Sequence, residues 1–305
     1  MKDHPYHSGY IAIIGRPNVG KSTLLNRILQ EKIAIISDKP QTTRNRILGV
    51  KHLPQAQIVF LDTPGIYKPK YKLNQRMVKV ALGTLDEVDL IFFIVEATDS
   101  VSSGRHGPAA GSGDQFIMER LKELDTPVFL VLNKLDLIKK EKTIPLVEEY
   151  MRLHKFAEVV PISALTGDNV DRLIDVAVKY LPEGEPFFPS DTVTDQPVRF
   201  IAAETIREKI LHHTREEIPY SVAVVIEEFK EEPERPVHIR ALILVERDSQ
   251  KGILIGKKGA MLKTVGTEAR MELEALLGTK VFLELWVKVQ PDWRQDETVL
   301  KELGY

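Results

Sequence analysis

The chain has 305 residues, of which 43% are hydrophobic and 28% charged, and its formal net charge is −2. This length is enough for two globular domains, and the near-neutral charge means that any surface for nucleic acid or membrane must be local. The chain contains no cysteine, which excludes disulfides, thiolate zinc sites and cysteine nucleophiles.

The first nine residues are polar and lack the apolar core of a signal peptide. No uninterrupted apolar run in the sequence approaches the roughly 20 residues that a membrane-spanning helix needs. We therefore expect a cytoplasmic protein.

A glycine-rich loop follows the first apolar run of the chain, residues 10–14, and precedes residues 23–29, which have helical spacing. A strand, a glycine loop and a helix in this order are the context that a P-loop requires. The glycines let backbone N–H groups surround a polyphosphate, and the positive end of the helix adds to the attraction. The residues predicted to bind nucleotide here are Gly15, Arg16, Pro17, Asn18, Val19, Gly20, Lys21, Ser22 and Thr23.

Lys21 and Ser22 have predicted chemical roles: the ammonium is a point charge for the β- and γ-phosphates, and the hydroxyl is a Mg²⁺ ligand. The polar segment 33–44 comes after the first helix. We expect it to fold over the nucleotide, with Thr43 completing the Mg²⁺ shell when the γ-phosphate is present. The alternative for this segment is a solvated loop.

The second apolar run, residues 58–61, ends in a short polar motif whose members are Asp62, Thr63, Pro64 and Gly65. An aspartate at the end of a strand can hold Mg²⁺ through water, and a glycine N–H can approach the γ-phosphate closely. The predicted metal ligands are thus Ser22, Thr43 and Asp62. The residues predicted to act in hydrolysis are Lys21, Thr43 and Gly65.

Ile66 follows this motif, at the place where a Ras-like enzyme carries a glutamine that orients the attacking water. An isoleucine cannot orient water, so we expect slow intrinsic turnover. Asn18 of the phosphate loop is a candidate position for a second cation, K⁺, by analogy with other phosphate-loop enzymes.

The base is predicted from the run that ends at residue 132 and continues as Asn133-Lys134-Leu135-Asp136. The Asp136 carboxylate can accept from N1–H and the exocyclic amine of guanine, whereas adenine would leave it unpaired at a cost of several kcal/mol. Asn133 can brace the loop, and the Lys134 stem can cover the ring. A later run ends in three residues whose backbone N–H groups can meet guanine O6, namely Ser163, Ala164 and Leu165.

Short runs rich in Val, Ile and Phe alternate with helical patterns over residues 10–180, which predicts an α/β domain with a doubly wound, mostly parallel sheet. We assign this P-loop domain to residues 1–182. The Gly- and Ser-rich stretch between Thr98 and Phe116 is interpreted as a flexible surface loop in which His106 is solvated. A proline-containing linker, 183–198, follows, and its Phe187 and Phe188 are expected to pack at the junction.

Residues 199–305 have the order helix, strand, strand, short helix, Gly-Lys-Lys-Gly, helix, strand, which is that of a type II KH domain with an α+β fold. A Gly-x-x-Gly turn lets backbone approach a sugar-phosphate chain while its lysines neutralise phosphates. We expect an apolar groove beside it formed by Ile253, Ile255 and Val265. The alternative is a helix-turn-helix with a basic surface. The residues predicted to bind RNA are Ile255, Gly256, Lys257, Lys258, Gly259 and Lys263.

These motifs together, and the closing Leu-Gly-Tyr at 303–305, resemble the Era family of bacterial GTPases over nearly the whole chain. The resemblance implies a monomeric GTP/GDP switch that binds the 3′ end of 16S ribosomal RNA and assists maturation of the 30S subunit. It also implies peripheral association with the inner face of the cytoplasmic membrane. Residues 101–113 depart from the family, which usually carries a shorter, charged stretch there.

Two other functions remain open at this point. The chain can be an RNA-binding adaptor whose nucleotide site is only structural, or a GTPase whose second domain binds protein.

Overall fold

The computed structural model describes residues 5–69, 71–97 and 111–305, which form two compact units. The first unit comprises residues up to 34 together with 43–70 and 75–195, and the second comprises 35–42, 71–74 and 196–305.

The first unit contains a six-stranded sheet in the order β2-β3-β1-β4-β5-β6. All neighbours pair in parallel except β2, which is antiparallel to β3. The strands are His7–Gly15 (β1), Ile47–Leu53 (β2), Ala56–Asp62 (β3), Leu90–Glu96 (β4), Val128–Asn133 (β5) and Glu158–Pro161 (β6). The helices that follow or flank them are Lys21–Leu29 (α1), Lys72–Gly83 (α2), Ser112–Leu121 (α3), Thr143–Leu153 (α4) and Val170–Val178 (α5).

The central strands are buried on both faces, which explains their continuous apolar sequences. All residues of β4 except Glu96 are buried, as is every residue of β3 and β5. The predicted doubly wound, mostly parallel sheet is therefore confirmed. Its loops at the carboxyl ends of β1, β3, β5 and β6 are where the nucleotide motifs lie.

The sequence interpretation missed β2, the edge strand. Its residues 47–53 include Gly49, Lys51 and His52, so the run lacks the continuous apolar character of the inner strands. Gly49 lies close to α1: a Cβ at this position would be 2.6 Å from Leu29 Cδ1, so a larger residue would require that side chain to shift.

The predicted loop between Thr98 and Phe116 is corrected at its end, because α3 begins at Ser112. The remainder of that prediction, including His106, lies outside the described residues.

The predicted linker packs on the first unit through a buried glutamine. Gln57 Oε1 accepts from the backbone N–H groups of Phe187 (2.7 Å) and Phe188 (2.9 Å), and its Nε2 donates to the Phe188 carbonyl (2.8 Å). Phe188 contacts a small cluster of β2 and β3 side chains, and the Phe187 ring lies 4.9 Å from that of Tyr10. These contacts explain why the first unit extends to residue 195.

The second unit contains a three-stranded sheet in the order β7-β8-β9, antiparallel between β7 and β8 and parallel between β8 and β9. Helices α6 and α9 pack against it around a core that includes Ile206, Ile243 and Val265. The strands are Ala223–Lys230 (β7), Val237–Val245 (β8) and Val281–Val289 (β9). The helices are Val198–His213 (α6), Ile218–Ser221 (α7), Asp248–Ile255 (α8), Ala260–Leu277 (α9) and Glu297–Glu302 (α10). Within the described residues, no helix combines the length and apolarity needed to cross a bilayer.

Candidate functional site

The phosphate loop turns between β1 and α1 at two glycines with positive φ, Gly15 at 154° and Gly20 at 97°. A side chain on Gly15 would collide with the Ile94 carbonyl of the neighbouring strand, so only glycine fits where the loop leaves the sheet. Gly20 is the residue that precedes α1, so the N–H groups of the first turn of the helix open toward the loop.

Lys21 and Asp62 form a buried pair of opposite charges at the carboxyl ends of β1 and β3. Burial lowers the pKa of Lys21 from 10.5 to about 8, with Asp62 acting in the opposite direction. Burial likewise raises the pKa of Asp62 to about 6, against the attraction of Lys21 and a hydrogen bond from Ser22. Lys21 Nζ donates to the carbonyls of Gly15 (3.2 Å) and Arg16 (2.8 Å).

Three side-chain oxygens converge beside this pair. Ser22 Oγ donates to Asp62 Oδ2 at 2.7 Å and lies 2.8 Å from Thr43 Oγ1. The other carboxylate oxygen, Asp62 Oδ1, is buried and has no hydrogen-bond partner among the described residues. Two hydroxyls and a carboxylate are hard oxygen donors, so these residues fit Mg²⁺.

The described residues contain no group of three or more His, Cys, Asp or Glu side chains that could hold a metal by themselves. The cluster at Ser22 therefore does not form a complete protein cage. This agrees with the usual way that Mg²⁺ is held in nucleotide sites, by one or two protein side chains together with water and phosphate oxygens.

The segment after β3 lies against the phosphate loop. A Cβ on Gly65 would approach Pro17 N to 2.8 Å, so the backbone of Gly65 comes this close to the loop only because it lacks a side chain. The Ile66 N–H donates to the Gly15 carbonyl (3.1 Å), and the Ile66 side chain is fully buried in the core. Thr63 Oγ1 donates to the Ile13 carbonyl and is thus engaged in holding β1 to β3.

Asn133 connects three loops of the site. Its Nδ2 donates to the Val19 carbonyl of the phosphate loop (2.8 Å), and its Oδ1 accepts from the Ala164 N–H (2.9 Å). Ser163 Oγ donates to Asp136 Oδ1 at 2.5 Å. The residues predicted to contact the base thus lie close together, and the predicted brace through Asn133 has its contacts in the structure.

Lys134 and Leu165 lie at the rim of this base region. Lys134 has a left-handed backbone (φ 68°), and its Nζ pairs with Glu96 Oε1 at 2.9 Å. The loop that carries Leu165 is held by Arg27 of α1, which donates to the carbonyls of Ala164 and Leu165.

The predicted segment over the nucleotide is divided between the units: Thr43 belongs to the first, and residues 35–42 belong to the second. Within the second unit, the Ile36 N–H donates to Glu208 Oε1 (2.8 Å), and Arg207 donates to the Thr42 carbonyl. Segment 35–42 is therefore bound to α6 rather than being a free solvated loop.

The Gly-Lys-Lys-Gly turn of the second unit joins α8 to α9. Gly256 has φ 73° and ψ 174°, and a side chain there would place its Cβ 2.9 Å from Met261 N. Lys258 and Gly259 are left-handed as well, at φ 53° and 79°. The turn exposes both lysine side chains to solvent, as phosphate contact requires.

A groove of about 340 Å³ begins at this turn and runs between α9 and β9. Its walls are Gly259, Leu262, Lys263, Gly266, Thr267, Arg270, Leu283 and Leu285. The predicted groove of Ile253, Ile255 and Val265 is thereby corrected. Val265 is fully buried in the core because it lies on the face of α9 that packs on the sheet, one position before the groove-lining Gly266.

Charge is segregated within the second unit, which has 17 Lys and Arg against 19 Asp and Glu over residues 199–305. The groove walls contain Lys263 and Arg270 and no acidic side chain among the described residues. A separate cavity of about 830 Å³ is lined by Glu231, Glu232 and Glu234 together with Arg235 and Lys280. The groove is thus locally basic in a domain whose net charge is −2.

One contact of the phosphate loop was not predicted. Arg16 Nε donates to Asp114 Oδ1 at 2.8 Å, and Asp114 is fully buried although its sequence neighbourhood indicates a loop. In the sequence, Asp114 is recognisable only as an acidic residue in the first turn of a helix, which favours the start of a helix but does not predict a contact with Arg16.

Comparison with known proteins identifies both units and then the whole chain. A family model described as "50S ribosome-binding GTPase" matches residues 10–134, and a KH domain model matches residues 217–294. The chain is 56% identical over 306 residues to GTPase Era of Geobacter metallireducens, covering 100% of both proteins. The chain belongs to the Era GTPase family.

Two Era crystal structures match the fold closely. A variant of Aquifex aeolicus Era bound to GDP·AlF₄⁻ is 48% identical, with a TM-score of 0.92 over 98% of this chain and 99% of that one. An Era complex with MgGDPNP and nucleotides 1506–1542 of 16S ribosomal RNA matches with the same values. These matches confirm a P-loop GTPase fold followed by a KH domain.

The raised pKa of Asp62 predicts a pH-dependent stability of the protein free of nucleotide and Mg²⁺. Because the folded-state pKa (about 6) exceeds the ordinary 3.8, the stabilising contribution is present below pH 4 and is lost as the pH rises through 6. Between pH 4.5 and 7 the free energy of unfolding of Asp62→Asn should therefore fall less than that of the parent protein. Urea unfolding of both proteins at the two pH values measures this difference.

Carboxylates that do not contact Asp62 cancel in the comparison, whereas Asp62→Asn also removes the attraction that raises the pKa of Lys21. The exposed Asp171→Asn serves as the control and should behave as the parent protein does. Equal pH dependence of the unfolding free energy in the parent and in Asp62→Asn would show that the pKa of Asp62 is not raised in the folded protein.

Proposed function

We propose that this chain is a Mg²⁺-dependent switch that binds and hydrolyses GTP, binds the 3′ end of 16S ribosomal RNA through its KH domain and assists 30S subunit assembly. The observation that carries the GTPase part is the convergence of Ser22, Thr43 and the unpaired Asp62 oxygen beside Lys21. The Era complexes with guanine nucleotides and with 16S RNA support the same reading.

In hydrolysis, water attacks the γ-phosphate in line with the leaving oxygen. Lys21 would exchange its two carbonyl partners, Gly15 and Arg16, for the β- and γ-phosphate oxygens, which brings its charge to the reacting group. Ser22, Thr43 and Asp62 would hold Mg²⁺, which would supply further positive charge there. The Gly65 N–H is the backbone donor proposed to sense the γ-phosphate.

Turnover without a partner is proposed to be slow. Ile66 is apolar and fully buried, so it can neither donate to nor accept from the attacking water. The switch therefore needs help from outside the residues described above to hydrolyse GTP quickly.

Guanine selectivity is proposed to come from Asp136. Its Oδ1 is fixed by Ser163, which leaves the second oxygen for the guanine N1–H and amine. The Ala164 N–H is already bonded to Asn133, and the Ser163 N–H to the Asp168 carbonyl (3.1 Å), so the Leu165 N–H is the candidate for O6.

RNA is proposed to bind at the Gly256–Gly259 turn and along the groove between α9 and β9. The two turn lysines contact phosphates, Lys263 and Arg270 continue the positive strip, and apolar walls at Leu262 and Leu285 take unstacked bases. This arrangement supports RNA rather than a protein partner, because a phosphate chain requires backbone access at glycines together with local positive charge.

We propose a cytoplasmic monomer, in keeping with a ribosomal RNA partner. Peripheral contact with the inner face of the membrane rests on the family resemblance alone.

Substitution of Lys21 separates an active GTPase from an adaptor with a structural nucleotide site. Lys21→Ala should lower the rate of GTP hydrolysis by at least about 100-fold, because it removes the buried charge directed at the transferred phosphate. Phosphate release under single-turnover conditions measures the rate. The exposed Lys179→Ala is the control and should retain the parent rate. A parent protein that hydrolyses no GTP would favour the adaptor, and hydrolysis that survives Lys21→Ala would show that Lys21 does not act on the transferred phosphate.

Base selectivity is tested by Asp136→Asn. The amide keeps the Ser163 contact but donates where xanthine accepts, so GTP affinity should fall on the order of 100-fold while XTP binding improves. Competition titration with GTP, XTP and ATP measures both effects. Tight, selective GTP binding by this variant would show that another group reads the base.

RNA binding is tested at the lysines, because substitution of Gly256 would distort the turn itself. Lys257→Glu combined with Lys258→Glu should weaken binding of a 16S 3′-end oligonucleotide and reduce the salt dependence by about two phosphate contacts. Lys288→Glu combined with Lys301→Glu makes the same charge change at exposed positions elsewhere. Equal losses in both pairs would mean that general charge, not the turn, holds the RNA.

A further inference from the structure

A buried carboxylate lies behind the phosphate loop, on the first turn of α3. Asp114 has a side-chain exposure of 0%, and its two oxygens have different partners. Oδ1 accepts from Arg16 Nε at 2.8 Å, and Oδ2 accepts from the Tyr150 hydroxyl of α4 at 3.1 Å. The carboxylate thus joins the phosphate loop to two helices of the first unit.

Because Asp114 is buried, it requires the ion pair with Arg16. Burial raises the pKa of Asp114, while Arg16 and the Tyr150 hydrogen bond oppose that change. A buried carboxylate that loses its cationic partner is strongly destabilising, so the structure favours arrangements in which Arg16 stays at this place. The Tyr150 ring is itself buried in the core, which fixes its hydroxyl.

Gly113 leaves space for the side chain of Arg16. A Cβ on Gly113 would lie 2.7 Å from Arg16 Cδ and 3.2 Å from Cγ, so a glycine before Asp114 makes room for the stem. The Arg16 side chain, which is 33% exposed, is therefore held at its end by the charged hydrogen bond to Asp114, and its stem passes close to Gly113.

Arg16 is also part of the phosphate loop by its main chain. Its carbonyl accepts from Lys21 Nζ at 2.8 Å, and it follows Gly15, where the loop leaves β1. Fixing the Arg16 side chain therefore fixes the first half of the loop, on the side opposite to the brace that Asn133 provides at Val19.

We propose that Asp114 is a positioning residue for phosphate binding, acting through Arg16 on the loop that holds the β-phosphate. The inference rests on the proposed binding of guanine nucleotide. Because GDP and GTP share the β-phosphate, loss of Asp114 weakens both equally. Loss of an interaction that is equal in the ground and transition states raises KM and leaves kcat unchanged.

The test is a double-mutant cycle of Asp114→Asn, Arg16→Ala and the combined variant in the full chain. Each single change should raise the Kd of fluorescent GDP and GTP about tenfold, and the double variant should show about the same loss rather than their product. The kcat for GTP should stay within about twofold of the parent value. The exposed Asp175→Asn is the matched control.

Thermal melting of the nucleotide-free variants shows whether the fold is intact. Should Asp114→Asn melt below the assay temperature, Tyr150→Phe carries the test, with an expected rise in Kd of about threefold for both nucleotides. Unchanged affinities, multiplicative losses, or a fall in kcat at unchanged KM would overturn the proposal. A parent protein that binds no guanine nucleotide would instead overturn the proposed function.

Discussion

The burial of Lys21 and Asp62 side by side is the constraint on which the nucleotide site depends. Both side chains are in conditions that disfavour their charges, as the lowered pKa of one and the raised pKa of the other show. Their mutual attraction only partly offsets the loss of water. A phosphate would give Lys21 a further partner, and a metal ion would do the same for Asp62. Asp62 Oδ1 has no hydrogen-bond partner among the described residues, as is expected of an oxygen that binds a metal ion.

The rest of the first unit holds that pair and its neighbours in place. The parallel sheet brings the ends of β1, β3, β5 and β6 to one edge, so motifs far apart in sequence become adjacent loops. Cross-loop contacts then fix these loops against one another: Asn133 reaches the phosphate loop at Val19, and Asp114 reaches it at Arg16. A phosphate loop held at both halves has little freedom to lose when a nucleotide binds.

The second unit must attract a polyanion, RNA, although the net charge of residues 199–305 is slightly negative. Lys263 and Arg270 line one groove whose described walls include no acidic side chain, and Lys257 and Lys258 are exposed at the turn where this groove begins. Glycines at 256 and 259 let the backbone adopt the turn that presents Lys257 and Lys258. Local arrangement rather than net charge therefore provides the surface for phosphates.

The sequence by itself determined the glycine turns of the phosphate loop, the inner strands of the sheet and the Gly-Lys-Lys-Gly turn of the KH domain. Each of these depends on residues that are close in the chain, where glycine conformation and apolar periodicity act directly. Only the tertiary structure decided that residues 47–53 form an edge strand, that Val265 is core rather than groove, and that Asp114 is buried on Arg16. Those outcomes depend on which distant segment packs against each residue. The local sequence does not predict such long-range contacts.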